Sequence, residues 1–500
     1  MFFFEVLCAA FFQESGRGTG QSPEKALRHG QSPKKTLRHF RLIYYTEKRY
    51  PMKNNDTSTR KSARSFALDL LCRMESDASY SNIAIDAVIR REDMGENDRA
   101  LFTVLVYGVT ERRITLDYYI NSFSSIAPDK IENRVRNILR LGAYQLIYLD
   151  RIPEHAAVNE CVKLCRGERG AAGFVNALLR KIAASRGELP LPDKDKKPYR
   201  YLSIKYSFPI PLCRKFSEIF GFERAESILS SFCADKRTVL RVNTLKITRE
   251  ALAQKLSENG TLTENGLYTD TALLVTGGKA PDFSNMNSLG SDAEFFVQDE
   301  ASQMCVKVLD AEAGQTVVDM CAAPGSKSFG AAIEMNNKGK IFAFDLHQSK
   351  ISLIDDGARR LGIDIINARA ADGTEFLSEL ENTADRVICD VPCSGFGVCA
   401  KKPEIRYKSL EECAPLADIQ YKIAENAVKY LKSGGVMVYS TCTLLPEENQ
   451  ENVRRLLASH PELRAENFSV GGISSNDGML TLTPDTYQTD GFFIAKLRKV

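Results

Sequence analysis

The sequence predicts three kinds of domain in one chain: an all-helical bundle, a small α+β unit and a doubly wound α/β domain. Three observations predict them. At 500 residues the chain is too long for one hydrophobic core and points to about three domains. Between Ser62 and Ser185 apolar residues recur at three- and four-residue spacing, the period of helices packed on one another. From Thr316 onward short apolar runs alternate with helical segments, the pattern of a parallel sheet covered on both faces.

Composition narrows the class. With 43% hydrophobic residues each domain has material for a core. No run of about 18 or more apolar residues occurs, so no membrane span is expected. Met1 to Phe12 is apolar but short, carries Glu5 and lacks a basic lead-in, unlike a signal peptide, and a cytoplasmic protein is expected. Thirteen cysteines and five histidines, without paired Cys-x-x-Cys clusters, indicate neither a disulfide framework nor a metal site. Cys161 and Cys165, four apart on an expected helix, fit core positions better than metal ligands. Residues 1–51 carry nine Lys/Arg against four Asp/Glu, or +5; the total of +3 leaves −2 for the rest. A nucleic-acid surface must therefore be a local patch.

Residues 1–61 form a leader. It contains a near-duplication, GQSPEKALRH at 20–29 and GQSPKKTLRH at 30–39, in a polar, basic setting. Two copies are too few for a solenoid. A tail outside the fold, or an upstream stretch preceding a start at Met52, is the favoured reading, and a basic RNA-binding arm the alternative. Residues 62–186 make the bundle, with helices expected at Phe66 to Met74, Ile83 to Arg90, Asp98 to Thr110, Ile131 to Leu149 and Ala172 to Ala184. Arg134, Arg136, Arg140, Arg166, Arg169, Arg180 and Lys181 are candidate phosphate ligands, or else a solvated basic face. Residues 187–200, rich in Pro, Lys and Asp, read as a linker. Residues 201–310 form the α+β unit. There Arg237 to Asn243 alternates like a strand, Thr248 caps a helix holding Ala251 to Leu256, and Asp270 to Ser288 is turn-rich.

Residues 311–500 carry the chemistry. Strands are expected at Thr316 to Asp319, Lys340 to Asp345, Ile365 to Ala368, Arg386 to Asp390 and Val436 to Ser440, with Gly491 to Leu497 as a last edge strand. The first strand runs into Cys321-Ala322-Ala323-Pro324-Gly325-Ser326-Lys327 and then a helix, the place where an open parallel sheet binds a ligand. Ser326 separates Gly325 from Lys327, so the spacing fits neither a phosphate-cradling P-loop nor a dinucleotide fingerprint. Asp345 ends the second strand, where a carboxylate meets ribose hydroxyls or caps the next helix. Asp372, after the third strand, faces an adenine amino group or only closes a turn. Asp390 leads into Val-Pro-Cys393, and the fifth strand leads into Thr441-Cys442. Two neighbouring strands thus deliver one cysteine each to the ligand edge, where a nearby cation such as Lys327 favours a thiolate nucleophile. Spacing does not rank the two thiols.

The run SARSFALDLLCRM, then LDRIPEHAAVNECVKL, then GFVNALLRKI resembles the NusB-type RNA-binding helical domain. The segments VVDMCAAPGSKS, FAFDL, AADG, DRVICDVPCSGFGV and YSTCTLLPEENQENV resemble the RNA cytosine-5 methyltransferases. Together they make the chain similar to the RsmB/Sun family, which methylates 16S ribosomal RNA. The resemblance implies a Rossmann-like catalytic domain with S-adenosylmethionine held by Cys321 to Lys327, Asp345 on the ribose, Asp372 near adenine and Asp390 in the cofactor and target-base site. It implies Cys442 as nucleophile, Cys393 as the residue that aids product release, and 16S ribosomal RNA as partner; a monomer without a metal is expected. Transfer RNA as substrate, or a non-catalytic RNA-binding factor, are the rival readings. The chain departs from the family's common Ala-Pro-Gly-Gly-Lys-Thr at Ser326 and Ser328, and has Phe208 where the family often has His. A positive φ at position 326 would cost serine about 1 kcal/mol.

Overall fold

A computed structural model of the chain describes residues 61–77, 81–168, 170–234, 237–281 and 293–500; the duplicated decapeptides, Met52 and Arg169 lie outside them. The described residues fall into two compact units, 61–213 with 233–234, and 214–232 with 237–500.

The first unit is helical: α1 (Ala63–Asp77), α2 (Ser81–Arg91), α3 (Glu96–Phe123), α4 (Asn133–Tyr148), α5 (Glu154–Leu164), α6 (Ala171–Ala184) and α7 (Pro198–Tyr206). Its core joins Leu68, Phe102, Leu105, Leu139, Val175 and Leu179. Gly108 and Gly142 let helices approach closely: a Cβ at Gly142 would lie 2.4 Å from Leu179, and one at Gly108 1.9 Å from the Tyr144 ring. The helix expected at Asp98 to Thr110 runs on to Phe123, because Leu116, Tyr119 and Ile120 keep the same buried stripe. Cys161 and Cys165 are core residues, and Phe208 is fully buried. α7 is tied to α3 by Thr115 Oγ1 donating to the Ile204 carbonyl at 2.6 Å.

Arg140 corrects the expected basic patch. It is buried, its guanidinium donates two bonds to Asp117 at 2.6 and 2.7 Å, and it pairs with Glu75. It is a structural ion pair, not a phosphate ligand. Arg140→Ala leaves two carboxylates facing a void and is expected to cost about 2–4 kcal/mol, less than for a fully buried triad because the acids are part exposed. The measurement is a lower urea midpoint at unchanged slope.

The second unit begins within α8 (Ile210–Phe220) and continues through α9 (Phe222–Ser231). A four-stranded sheet follows, β1 (Thr238–Val242), β2 (Thr261–Asn265), β3 (Ala272–Gly278) and β4 (Phe295–Val297), in the order β2-β3-β1-β4, with α10 (Arg249–Glu258) beside it. Thr248 caps α10 as expected, accepting from the Ala251 N–H. β1 does not alternate: all five residues are buried, since Arg241 points into the protein to pair with Glu334 at 2.9 Å. The stretch read as turn-rich contains β3, whose Ala272 to Val275 run pairs with β1.

The rest of this unit carries α11 (Glu300–Leu309), β5 (Thr316–Asp319), α12 (Ser326–Glu334), β6 (Lys340–Asp345), α13 (Gln348–Leu361), β7 (Ile366–Ala370), β8 (Ala384–Asp390), α14 (Leu410–Cys413), α15 (Leu416–Tyr430) and β9 (Leu431–Thr441). Then come α16 (Gln450–Ser459), β10 (Leu463–Ala465), β11 (Ser469–Val470), β12 (Ile473–Ser474), β13 (Met479–Leu482), α17 (Pro484–Tyr487) and β14 (Phe492–Lys499). The main sheet runs β10-β14-β9-β8-β5-β6-β7. β9, β8, β5, β6 and β7 are parallel, and β14 is antiparallel to β9. Alternate strand residues feed two cores, Val317, Ile341, Ile388 and Val438 on one face, Val318, Phe344, Val387 and Met437 on the other. The last strand is not an edge: β14 pairs with β9, β10 and β13, and its first residues Phe492 to Ala495 are buried accordingly. Among the described residues no helix is long and apolar enough to cross a membrane.

Candidate active site

The carboxyl ends of the parallel strands bring the expected residues together. β5 is pinned between β6 and β8, and its exit is held by Met320 N–H to the Ile388 carbonyl at 3.0 Å and Ala322 N–H to the Phe344 carbonyl at 2.6 Å. Ala323-Pro324 is a cis peptide, and Gly325 has φ 112°, where a Cβ would sit 2.3 Å from the Phe329 ring. α12 starts at once with Ser326, which has no positive φ, so serine there carries none of the strain that a left-handed conformation would impose. Ser328 Oγ donates to Asp319 Oδ2 at 2.6 Å. Gly325→Ala combines a disfavoured φ with a ring clash and is expected to lower stability by about 1–3 kcal/mol, measured by thermal melting.

Asp345 sits at the end of β6, buried, with Oδ1 accepting from the His347 N–H at 3.1 Å and 3.3 Å from Lys350 Nζ. It is not the N-cap of α13, a position held by His347. The Asp345 carbonyl accepts from the Ala371 N–H, which sets Asp372 one residue further along the same rim. Asp372 Oδ1 accepts from Thr374 N–H and Oγ1 at 2.9 and 2.7 Å, closing its turn, while a Cβ on Gly373 would lie 3.5 Å from the Met320 carbonyl. The loops after β5, β6 and β7 thus form one continuous rim.

On the other side, Lys327 Nζ is 2.7 Å from Asp390 Oδ2, and Ser440 Oγ donates to Asp390 Oδ1 at 2.7 Å. Burial alone would lower the Lys327 ammonium, but the Asp390 carboxylate overcomes it and keeps the lysine charged. The ammonium also lies 5.2 Å from the Phe492 ring centroid. Cys393 Sγ and Cys442 Sγ are 3.1 Å apart. Their surroundings differ. The bond from the Cys393 thiol holds Cys442 below the ordinary thiol range, with burial opposing and the Lys402 and Lys327 charges assisting. That same bond, together with burial and the Glu448 and Asp390 carboxylates, pushes Cys393 well up. Lys402 and Lys327 act on Cys442 and Glu448 on Cys393, while Asp390 opposes ionisation of both, so the pair is polarised with Cys442 the more acidic thiol. Cys321, by contrast, is raised well above the ordinary range by burial.

A buried polar scaffold under the two cysteines has no counterpart in the sequence reading. Glu448 Oε2 accepts from the Ser394 N–H at 2.9 Å and from Gln420 Nε2 at 2.7 Å. Asn449 accepts from Thr441 Oγ1 at 2.5 Å and donates to the Thr443 carbonyl at 3.0 Å, bracketing Cys442. Its signal was the polar run Glu447 to Asn452, five residues beyond Cys442, which reads as exposed until the fold is known.

Comparison with known proteins gives the family. The chain is 36% identical over 451 residues to "Probable ribosomal RNA small subunit methyltransferase B" of Bacillus subtilis, covering 88% of this chain and 99% of that protein. The chain belongs to the ribosomal RNA small subunit methyltransferase B family. A second member, from Synechocystis, is 34% identical over 449 residues, again covering 88% and 99%. Three family descriptions match in order along this rRNA methyltransferase: NusB family at 61–184, the RsmF/B-like ferredoxin-like domain at 208–280, and 16S rRNA methyltransferase RsmB/F at 306–498. Helices α1 to α6 therefore form a NusB domain, β1 to β3 lie in a ferredoxin-like domain, and the main sheet is the Rossmann-like methyltransferase fold. Among solved structures, the crystal structure of PH0851 superposes with a TM-score of 0.72 at 25% identity, covering 87% of this chain and 99% of that one. The methyltransferase homolog protein from Pyrococcus horikoshii gives 0.53 at 26% identity, covering 60% and 98%.

Proposed function

We propose that this methyltransferase transfers a methyl group from S-adenosylmethionine to carbon 5 of one cytidine in 16S ribosomal RNA through a covalent adduct on Cys442. The observation that carries the reading is the polarised Cys393–Cys442 pair, 3.1 Å apart beside the Lys327–Asp390 ion pair. The rim fits the cofactor. Gly325 lets the loop turn tightly against the Phe329 ring, the start of α12 adds backbone N–H groups, and the Asp345 and Asp372 carboxylates suit hydroxyl and amino donors. On this assignment Cys321 to Lys327 line the methionine side, Asp345 takes the ribose and Asp372 the adenine end, with Asp390 between cofactor and target base.

When bound, S-adenosylmethionine supplies the electrophilic methyl group. Carbon 5 of cytosine is a poor nucleophile on its own. The Cys442 thiolate adds to carbon 6, and the displaced π electrons make carbon 5 nucleophilic. Asp390, oriented by Lys327 and Ser440, accepts from the amino edge of the base and holds it over the sulfur. Cys393 is placed for the proton transfer that follows: the carbon 5 proton leaves, the ring double bond reforms and Cys442 is expelled. The target base must be unstacked to reach the pocket.

RNA binding is assigned to the NusB domain, where Arg166, Arg180 and Lys181 are exposed. Replacing Arg180 and Lys181 together by alanine is expected to weaken RNA binding at all sequences alike and to reduce the slope of log affinity against log salt by about 1–2, read by a salt titration.

The test is base-resolved 5-methylcytidine formation on unmodified 16S ribosomal RNA with labelled cofactor and Cys442→Ala as control. One methylated cytosine, absent in the control, supports the proposal. Methylation at another base or atom, or on transfer RNA alone, overturns it.

A further inference from the structure

We propose that Lys401 is a positioning residue for Cys442, acting through a clamp that joins three separate segments to the backbone of that cysteine; this rests on Cys442 being the nucleophile. The clamp has two halves. In the first, Lys401 Nζ lies 2.6 Å from Asp299 Oδ2 and 2.8 Å from Asp490 Oδ2, while Asp299 Oδ1 accepts from the Asp490 N–H at 3.3 Å. Asp299 is itself fixed as the N-cap of α11, accepting from the Ala301 N–H at 3.0 Å. In the second half, the Gly491 N–H donates to the Gly397 carbonyl and the Gly397 N–H donates to the Cys442 carbonyl, both at 2.9 Å.

The two halves share the same pair of segments. Lys401 and Gly397 belong to one loop, and Asp490 and Gly491 to the turn entering β14, so the ion pair sets the distance across which the glycines meet. That approach is as close as a backbone allows: a Cβ on Gly397 would lie 1.9 Å from the Gly491 carbonyl oxygen and 2.8 Å from that of Cys442. The loop has glycines at 395 and 397, the first with φ 81°, and such a segment holds one conformation only when tied from outside. Without Lys401, the Asp299 and Asp490 carboxylates face each other in a poorly solvated site and drive the turn away from the start of α11, while the loop loses its tie to the turn. The Cys442 carbonyl then loses its donor, and the 3.1 Å sulfur geometry loses its anchor.

The charged groups around the clamp define its pH behaviour. Asp490 faces Asp299 from α11 and Lys401 and Lys402 from the loop; Cys442, across the glycine bridge, faces Asp390, Lys327 and Lys402. Burial, with the Asp299 charge, already holds the Asp490 carboxyl up to about 6 against Lys401, so removing Lys401 raises that carboxyl further and leaves it protonated over more of the pH range.

The experiment compares full-length Lys401→Gln, Lys401→Arg and Lys401→Gln/Asp490→Asn with the parent between pH 6 and 8.5. It measures kcat, KM for S-adenosylmethionine, and the iodoacetamide alkylation rate of Cys442 by mass spectrometry. Lys401→Gln is expected to lose about a hundredfold in kcat at pH 8 with KM for the cofactor unchanged. That deficit, relative to the parent at each pH, narrows towards pH 6. Lys401→Arg retains most of kcat, and the double variant, which removes the repulsion, recovers at least about tenfold. Alkylation of Cys442 changes in parallel. Parent-like kcat and alkylation in Lys401→Gln overturn the inference, as does a pH-independent loss that the double variant does not relieve. Changed alkylation with unaltered methylation would instead remove Cys442 from the mechanism while leaving the clamp in place. If Lys401→Gln does not fold, the double and arginine variants still decide the case.

Discussion

Cys442→Ala is expected to abolish both methyl transfer and covalent capture of RNA, whereas Cys393→Ala is expected to trap RNA as a denaturant-resistant adduct. The asymmetry follows from the electrostatics of a pair whose sulfurs are 3.1 Å apart. The nucleophile must be the thiolate, and Cys442 is the member with Lys402 and Lys327 on its side and a thiol donating to it. The proton-carrying partner must stay a thiol, and Cys393 faces Glu448, while Asp390 acts against ionisation of both sulfurs. Removing the first leaves nothing to attack carbon 6, so turnover falls by at least about four orders of magnitude, the scale of losing a covalent nucleophile. Removing the second leaves addition intact and blocks breakdown. The readout is a gel-shifted band surviving denaturant and heat. A stable adduct in Cys442→Ala, or none in Cys393→Ala, would reverse or discard the assignment.

Lys327→Met is expected to lower kcat by about two to three orders of magnitude and to move the acidic limb of its pH profile to higher pH. The lysine serves two groups. It orients Asp390 through the 2.7 Å ion pair, and removing one partner of a buried pair leaves a desolvated charge. It also helps hold down the Cys442 thiol. For an acid active as its anion, a raised pKa means less thiolate at neutral pH, so the residual rate climbs as pH increases through the new value. An unshifted limb would show that Lys327 acts on Asp390 alone; an unchanged kcat would remove it from the site.

Strand and helix identities were legible because each rests on local periodicity. Thr316 to Asp319 and Lys340 to Asp345 are strands over the expected residues, since buried β-branched and aromatic runs bounded by turn residues have no stable alternative. The final strand was misplaced at an edge, because neighbour choice is a long-range matter: whether Phe492 to Lys499 has one partner or three depends on β10 and β13, which are too short to read. Arg140 looked like the basic residues around it. Only the positions of Asp117 and Glu75, 23 and 65 residues away in sequence, convert it into a buried ion pair.

The sequence by itself determined which residue types reach the reactive edge: a glycine-turned loop after the first strand, carboxylates after the next two, and one cysteine after each of two neighbouring strands. Strand order and handedness rules send those ends to one side, so spacing alone is enough. It did not determine which cysteine is the thiolate, nor what holds it. Those depend on charges separated by tens to hundreds of residues. Lys327, Lys402 and Glu448 act on the thiols through space, and Asp299, Lys401 and Asp490 meet only once the sheet has closed around β14. Electrostatic energy depends on distance and burial rather than on position along the chain, and only the tertiary structure sets both.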